Sequence, residues 1–264
     1  MGGTTGGGIP KIIHQIWLGK NPRPDLWMDT MRDFCSEYGY EYKLWTEDTV
    51  KRDLSFRDIP GLQELNASFG TELAGQADII RLLALYKYGG LYIDADSVMM
   101  KPAKFAKFLE KNHAAVFFGW EDLPAKTIRK LGDRGSLVNS SKRHVANGVI
   151  GAAKKHGFIR KLLGGLAANA AAEAGEAAWR KVGPLYTTRM YFLHKKDFPD
   201  VHVYPMKYFY PMHWHGISDP ELHKRVKIPE QSMLFQYGYS TNKFAKIFKK
   251  RQEAERRRTR RRRD

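Results

Sequence analysis

Apolar residues along this chain follow two alternating patterns: short solid blocks, and longer stretches in which they recur every third or fourth position. The first block, over 11–17 (Lys-Ile-Ile-His-Gln-Ile-Trp), predicts a buried strand stopped by Gly19 and the Pro22/Pro24 pair. Leu26, Met28, Met31, Phe34 and Cys35 then mark a helix over 25–38. Alternation over 40–45 predicts a second strand, and Thr46 is suited to cap a short helix over 47–54. A helix over 73–88 breaks at Gly89-Gly90 and runs into a strand that ends at Asp94. Strands over 115–120 and 145–150 and a helix over 157–174 follow. Beyond Gly183-Pro184 the chain is aromatic and punctuated by proline, through 201–205 and 209–211, which reads as loops and short strands covering one sheet face. Strand and helix alternate without internal repeat, so the expected class is α/β with a largely parallel sheet.

The strand before Asp94 gives this pattern its chemistry. Ligands in α/β proteins bind beyond the carboxyl ends of strands. Two carboxylates flanking one small residue, Asp94-Ala95-Asp96, stand at such an end. Residues i and i+2 of a strand share a face, so the pair is expected to converge on one ligand. Oxygen donors suit Mn²⁺ or Mg²⁺ better than zinc, and such a cation neutralises phosphate charge. Solvated residues at a strand end are the alternative. Asp78 and Arg81 are three apart on the preceding helix and can address one ligand, the carboxylate accepting from sugar hydroxyls and the guanidinium donating a fixed fork. The competing reading is a surface ion pair. Trp17, near the end of the first strand, offers a face to a nucleobase or else packs in the core. Asn147-Gly148 places an amide beside a residue that permits close approach. His213-Trp214-His215 with His223 resembles a metal cluster, but it has no carboxylate or cysteine at zinc-site spacing, so aromatic packing or acceptor contact is expected. The polar turn 236–242 can close over a diphosphate or donate a metal ligand.

Composition narrows the setting. With 264 residues, 42% of them hydrophobic, one sizeable core in one domain is expected. Residues 1–8 read as a flexible Gly-rich leader, 9–242 as the domain, and 243–264 as a basic tail. Cys35 is the lone cysteine and no apolar run approaches the roughly 20 residues of a membrane span, which favours a cytoplasmic protein. The sequons at Asn66 and Asn139 point weakly the other way. The net charge is +17, of which the tail, with 12 Lys/Arg against 3 Asp/Glu, carries +9. Self-repulsion predicts disorder there unless an anionic partner neutralises it: nucleic acid, acidic lipid or an acidic protein. Phe244, Ile247 and Phe248 amid lysines have the spacing of a helix lying on a membrane surface, or of one packed back on the domain.

Taken together, 9–19, 42–45, 77–96, 147–152 and Gly183-Pro184 resemble the DXD-motif glycosyltransferases that include fungal α-mannosyltransferases, glycolipid and capsular polysaccharide sugar transferases and, distantly, clostridial glucosylating toxins. The resemblance implies a GT-A type fold, a single Rossmann-like domain. It also implies a retaining reaction from a nucleotide-sugar donor, UDP-sugar before GDP-sugar, to a glycan, glycolipid or protein acceptor, with Mn²⁺ before Mg²⁺ as cofactor. Trp17 and Ile16 would line the base pocket, Asp78 and Arg81 would hold the sugar, Asp94 the ribose and sugar, Asp96 the metal, and Asn147 would sit beside the sugar. Where relatives carry a His-His-Trp-like segment, this chain has Phe235-Gln236-Tyr237. Gln236, Ser240 and Asn242 are therefore the candidates for the remaining ligand, and Tyr237, Ser240 and Asn242 for donor contacts. Catalysis is expected of Asp94, Asp96, Arg81 and Asn147. Two alternatives stand beside this. In one, a haloacid-dehalogenase-like phosphohydrolase uses Asp94 as nucleophile. In the other, the Arg-rich tail binds nucleic acid, which is disfavoured as the primary ligand because the tail is separable from the body.

Overall fold

The computed structural model describes residues 8–123, 128, 142–213 and 215–261. The leader over 1–7, the sequon at Asn139, Trp214 and the last residues 262–264 lie outside the described residues.

A six-stranded sheet organises the chain, with strands in the order β2-β1-β3-β6-β5-β7. These are β1 (Ile12–Ile16), β2 (Glu41–Trp45), β3 (Gly90–Ile93), β5 (Val116–Asp122), β6 (Arg143–Ala152) and β7 (Val201–Tyr204). β1 runs parallel to β2 and β3, and β5 parallel to β7, while β6 is antiparallel to both of its neighbours. The expected α/β architecture with a mostly co-directional sheet is therefore present, with β6 as the one reversed strand. A small antiparallel pair, β4 (Ser97–Met99) with β8 (Leu234–Gln236), brings the C-terminal part of the chain back to the end of β3.

Helices cover both faces. One core layer joins the sheet to α4 (Leu73–Tyr88) and α6 (Gly157–Ala172) through Ile80, Leu83, Leu162 and Leu166. The other packs α1 (Asp25–Tyr38) and α5 (Pro102–Glu110) through Met31, Phe34 and Phe105. Local chemistry sets the boundaries. Gly39, at φ 70°, ends α1 in the left-handed conformation that glycine adopts freely. Thr46 and Thr49 cap α2 (Glu47–Asp53) reciprocally, the Thr49 N–H donating to Thr46 Oγ1 and the Thr46 N–H to Thr49 Oγ1.

His14 ties three elements together. Its fully buried ring accepts from Trp45 Nε1–H at 3.1 Å and donates from Nε2 to the Gly89 carbonyl at 2.8 Å. That bond assignment fixes a neutral tautomer, and burial lowers the His14 pKa to about 4.

The helices α3 (Leu62–Ser68), α5, α7 (Ala178–Lys181) and α8 (Pro184–His194) were not expected. In α5 and α8 proline stands at the first helical position, where its missing N–H costs nothing, so Pro102 and Pro184 begin these elements. At the start of the tail, α9 (Ala245–Arg261) is helical and Phe244 and Phe248 are buried against Trp27, the packed-back arrangement of the two weighed for this segment.

Candidate active site

α4 delivers Asp78 and Arg81, β3 ends at Asp94, and β6 crosses beside both with Asn147 and Gly148. Asp94 and Asp96 do not lie on a strand face as expected. β3 stops at Ile93, and a turn closed by Ser97 N–H to the Asp94 carbonyl, 3.0 Å, carries both carboxylates into β4. The turn, rather than strand periodicity, makes them converge. Ala95, small and buried, lets it tighten.

Register sets the opposite wall. Gln236 pairs with Ser97 across β4 and β8, which places its amide over the turn. Gln236 Nε2–H donates to Asp94 Oδ2 at 2.8 Å and reaches Asp96 Oδ1 at 3.5 Å. The Tyr239 backbone N–H donates to the other Asp96 oxygen at 2.7 Å. Burial, and then the neighbouring Asp94 charge, push the Asp96 pKa well above the usual carboxylate range.

Asp78 and Arg81 form a buried pair, 3.3 Å apart with side chains 8% and 9% exposed, not the surface pair weighed as the alternative. The Arg81 guanidinium lies over the Tyr92 ring, is 3.5 Å from Asp94 Oδ1 and donates to the Asn147 carbonyl. Burial alone would lower its pKa, but Tyr92, Asp78 and Asp94 more than compensate, so it stays charged. Burial raises Asp78, against the pull of Arg81 and of Asn147 Nδ2–H at 3.3 Å. Asn147 Oδ1 is buried with no partner, an acceptor left available at the centre of this cluster.

The register between β5 and β6 jumps: Phe118 faces Ile150, but Gly119 faces Ala146. Residues 147–149 form the resulting bulge, a device that re-aims side chains next to binding sites. Gly148 belongs to it, and a Cβ there would stand 2.8 Å from Asp94 Oδ2 and 3.1 Å from Gln236 Nε2. Gly183 is equally constrained, its Cβ position lying 2.9 Å from Asp78 Oδ2.

Asp78, Arg81, Asp94, Asp96, Asn147 and Gln236 are thus brought together. Trp17 is half-buried beside them, its ring edge-on to Tyr239 at 4.9 Å, whereas Ile16 is in the main core. Three expected residues stand apart. Tyr237 is fully buried and stacks flat on Trp27 at 4.1 Å, so it serves the core and not a donor. Both ends of the Asn242 amide are used in holding its own loop, donating to the Tyr237 carbonyl and accepting from the Gly216 N–H. Ser240 is exposed on that loop. The His213 and His215 rings lie 5.7 Å apart, tilted by 49°, and His223 bonds the Tyr237 hydroxyl at 2.6 Å. Tyr92, whose hydroxyl donates to Asp94 at 2.6 Å, and Gln15, which donates to the Asp94 carbonyl and accepts from Tyr42, were missed. Their alternation with Ile93 and Ile16 marks them as strand residues and nothing more.

The donor set fits a hard cation. Among the described residues no group of three His, Cys, Asp or Glu side chains converges, so a thiolate or imidazole site is absent there. Two carboxylates joined by one amide N–H, as Asp94 and Asp96 are, share a position that a cation can take. Turned about its last torsion, the same amide offers Oε1 as a third oxygen.

Residues 24–114 match the family described as the glycosyltransferase sugar-binding region containing a DXD motif. Over 89 residues the chain is 37% identical to inositol phosphoceramide mannosyltransferase 3 of Schizosaccharomyces pombe, an alignment covering 33% of this chain and 24% of that protein. The match thus spans about a quarter of that relative's length. Two solved structures are similar at low identity. The PaToxG glycosyltransferase has a TM-score of 0.47 at 18% identity, over 72% of this chain and 70% of that one. A glycosyltransferase involved in glycosylation of the major capsid of PBCV-1 has a TM-score of 0.45 at 15% identity, over 90% and 98%.

Proposed function

From the DXD-type glycosyltransferase region over residues 24–114, we propose that the chain transfers a sugar from a nucleotide-sugar donor in a metal-dependent, retaining reaction. The observation that carries this is the convergence of Asp94, Asp96 and Gln236 beside the buried Asp78–Arg81–Asn147 cluster. Asp94, Asp96 and Gln236 would hold the cation, Mn²⁺ before Mg²⁺, which would supply charge neutralisation for a departing diphosphate. Asp78 accepts hydrogen bonds from the donor sugar and Arg81, charged and pinned by Tyr92, fixes it. Asn147 Oδ1 provides a further acceptor. Trp17 offers a base-stacking face at the mouth.

Among the described residues no carboxylate stands out as a nucleophile. Asp78 is locked to Arg81, and the Asp94 and Asp96 oxygens are bonded to Tyr92, Gln236 and the Tyr239 N–H. The acceptor hydroxyl therefore attacks from the face that the diphosphate leaves, and a diphosphate oxygen takes its proton. A kinetically competent covalent sugar–enzyme adduct, seen by mass spectrometry, would overturn this step. The likeness to an inositol phosphoceramide mannosyltransferase favours hexosyl transfer to a glycolipid acceptor, ahead of a glycan or protein.

The deciding experiment measures turnover of UDP- and GDP-hexoses with Mn²⁺, Mg²⁺ or EDTA. Asp96→Asn should lose at least about a hundredfold in kcat/KM, roughly 3 kcal/mol of transition-state stabilisation. Undiminished turnover in EDTA, or in the variant, would refute the metal-dependent reading.

A further inference from the structure

The C-terminal helix leaves its first turns in contact with the segment that follows β1. Lys20, Asn21 and Pro22 form one side of a groove of about 390 Å³, and Ala245, Lys246, Lys249, Gln252 and Glu253 the other. Lys20, Lys246 and Lys249 are exposed, and none is in an ion pair among the described residues. One acid, Glu253, faces them. The groove is rigidly seated. Phe244 and Phe248 are buried on Trp27, and Arg251 pairs with Glu221 at 3.1 Å. Basic residues cluster along this helix at Lys246, Lys249, Lys250 and Arg251 and again at Arg256, Arg257, Arg258, Arg260 and Arg261. The helix itself continues to Arg261.

The groove adjoins the candidate active site. The Tyr239 hydroxyl donates to the Pro22 carbonyl at 2.6 Å, while the Tyr239 N–H holds Asp96. Trp17 Nε1–H donates to the Asn21 carbonyl at 3.0 Å. The loop that lines the groove is thus the loop that shapes the donor mouth.

We infer that α9 and the 20–22 segment form a docking surface for an anionic lipid bilayer, which presents a membrane-borne acceptor to the Asp94/Asp96 turn. Charge complementarity selects this occupant: three unpaired ammonium groups lie over one acid, and 12 basic residues stand against 3 acidic ones over 243–264. Phosphate headgroups complement such a surface through the electrostatic field near an acidic leaflet. No helix among the described residues is long and apolar enough to cross a membrane. Only the presentation of an acceptor rests on the transferase reading; binding to the bilayer is independent of it.

The experiment is co-sedimentation of the full chain with phosphatidylcholine vesicles, with and without phosphatidylserine or phosphatidylinositol, at low and at roughly 0.5 M salt. Binding is expected on the anionic vesicles alone and should fall steeply with salt. The triple variant K20E/K246E/K249E, which leaves the Arg run intact, should weaken it by about a hundredfold, since each basic residue near an acidic surface is worth roughly fivefold. Its melting temperature and its Mn²⁺ binding should match the parent, which separates lost docking from lost folding and from failure of the active-site assignment. Equal binding to neutral vesicles, an unaffected triple variant, or tight salt-sensitive binding to single-stranded RNA without vesicle binding would each overturn the inference.

Discussion

At the scale of single residues, Gln236 is the one of the three candidate ligands on the C-terminal segment whose side chain reaches both carboxylates. Gln236→Ala removes the third oxygen and should weaken Mn²⁺ binding by about tenfold, the lower end of the loss seen when a supporting group is removed from a metal site. Gln236→Glu, which presents oxygen in either orientation, should bind at least as tightly as the parent; titration calorimetry checks both, and a Gln236→Ala variant with parental affinity would exclude the amide as ligand. His14 gives a second test. Its ordinary pKa of 6.5 falls to about 4 in the folded state, so between those values the unfolded chain binds more protons than the native one. Stability from this group is therefore full above pH 6.5 and is lost as pH falls toward 4, by about 3 kcal/mol in all. His14→Gln should flatten that part of the pH dependence in urea melts; parallel curves for the two proteins would sink the assignment. Asp78, Arg81, Asp94, Asp96 and Asn147 were legible from placement: two share one face of α4, two follow directly on an apolar strand, and one adjoins a glycine. Tyr239 was not, because its contact with Asp96 is made by a backbone N–H, and every residue but proline has one.

At the scale of elements, local signals sufficed wherever short-range chemistry sets the structure. The caps of α2, the glycine at the end of α1 and the Gly89-Gly90 break are of this kind. What escaped is register. Nothing in the composition of 143–152 announces that β6 runs against its neighbours, or that three of its residues bulge away from β5. That bulge sets Gly148 against the Asp94 carboxylate, and its consequence can be measured. Gly148→Ala brings a methyl within 2.8 Å of Asp94 Oδ2 and 3.1 Å of Gln236 Nε2, so the carboxylate and the amide must both shift. A displacement of order 1 Å in catalytic geometry costs about a hundredfold in rate. The shifts required here are a fraction of that, so the expected result is a kcat lower by about tenfold with the far-ultraviolet spectrum unchanged. Parental kcat would mean that the carboxylate yields without consequence.

At the scale of the whole molecule, the site is a seam between distant parts of the chain. Asp94 and Asp96 come from the middle of the sequence and Gln236 and Tyr239 from near its end, joined by the three-residue β4–β8 pair. Without a cation, this seam holds two carboxylates against each other with one amide N–H between them, and burial has already raised Asp96. A ligand that binds only the folded seam must stabilise the whole fold by mass action, by about 2.7 kcal/mol when its concentration is a hundred times its dissociation constant. For a chain of this size, at roughly 2–4 °C per kcal/mol, that corresponds to a rise of roughly 5–10 °C in melting temperature. Mn²⁺ should produce this shift in the parent and not in Asp96→Asn. Because the variant also removes a like-charge contact, it should melt no lower than the metal-free parent. The sign with pH follows from the same groups. Asp96 must release its proton to bind a cation, so the Mn²⁺-induced shift should shrink as pH falls from its raised folded pKa toward the ordinary value of 3.8. Differential scanning fluorimetry across pH, with and without Mn²⁺, reads both effects. A shift that persists in Asp96→Asn, or that grows on acidification, would place the cation away from the seam.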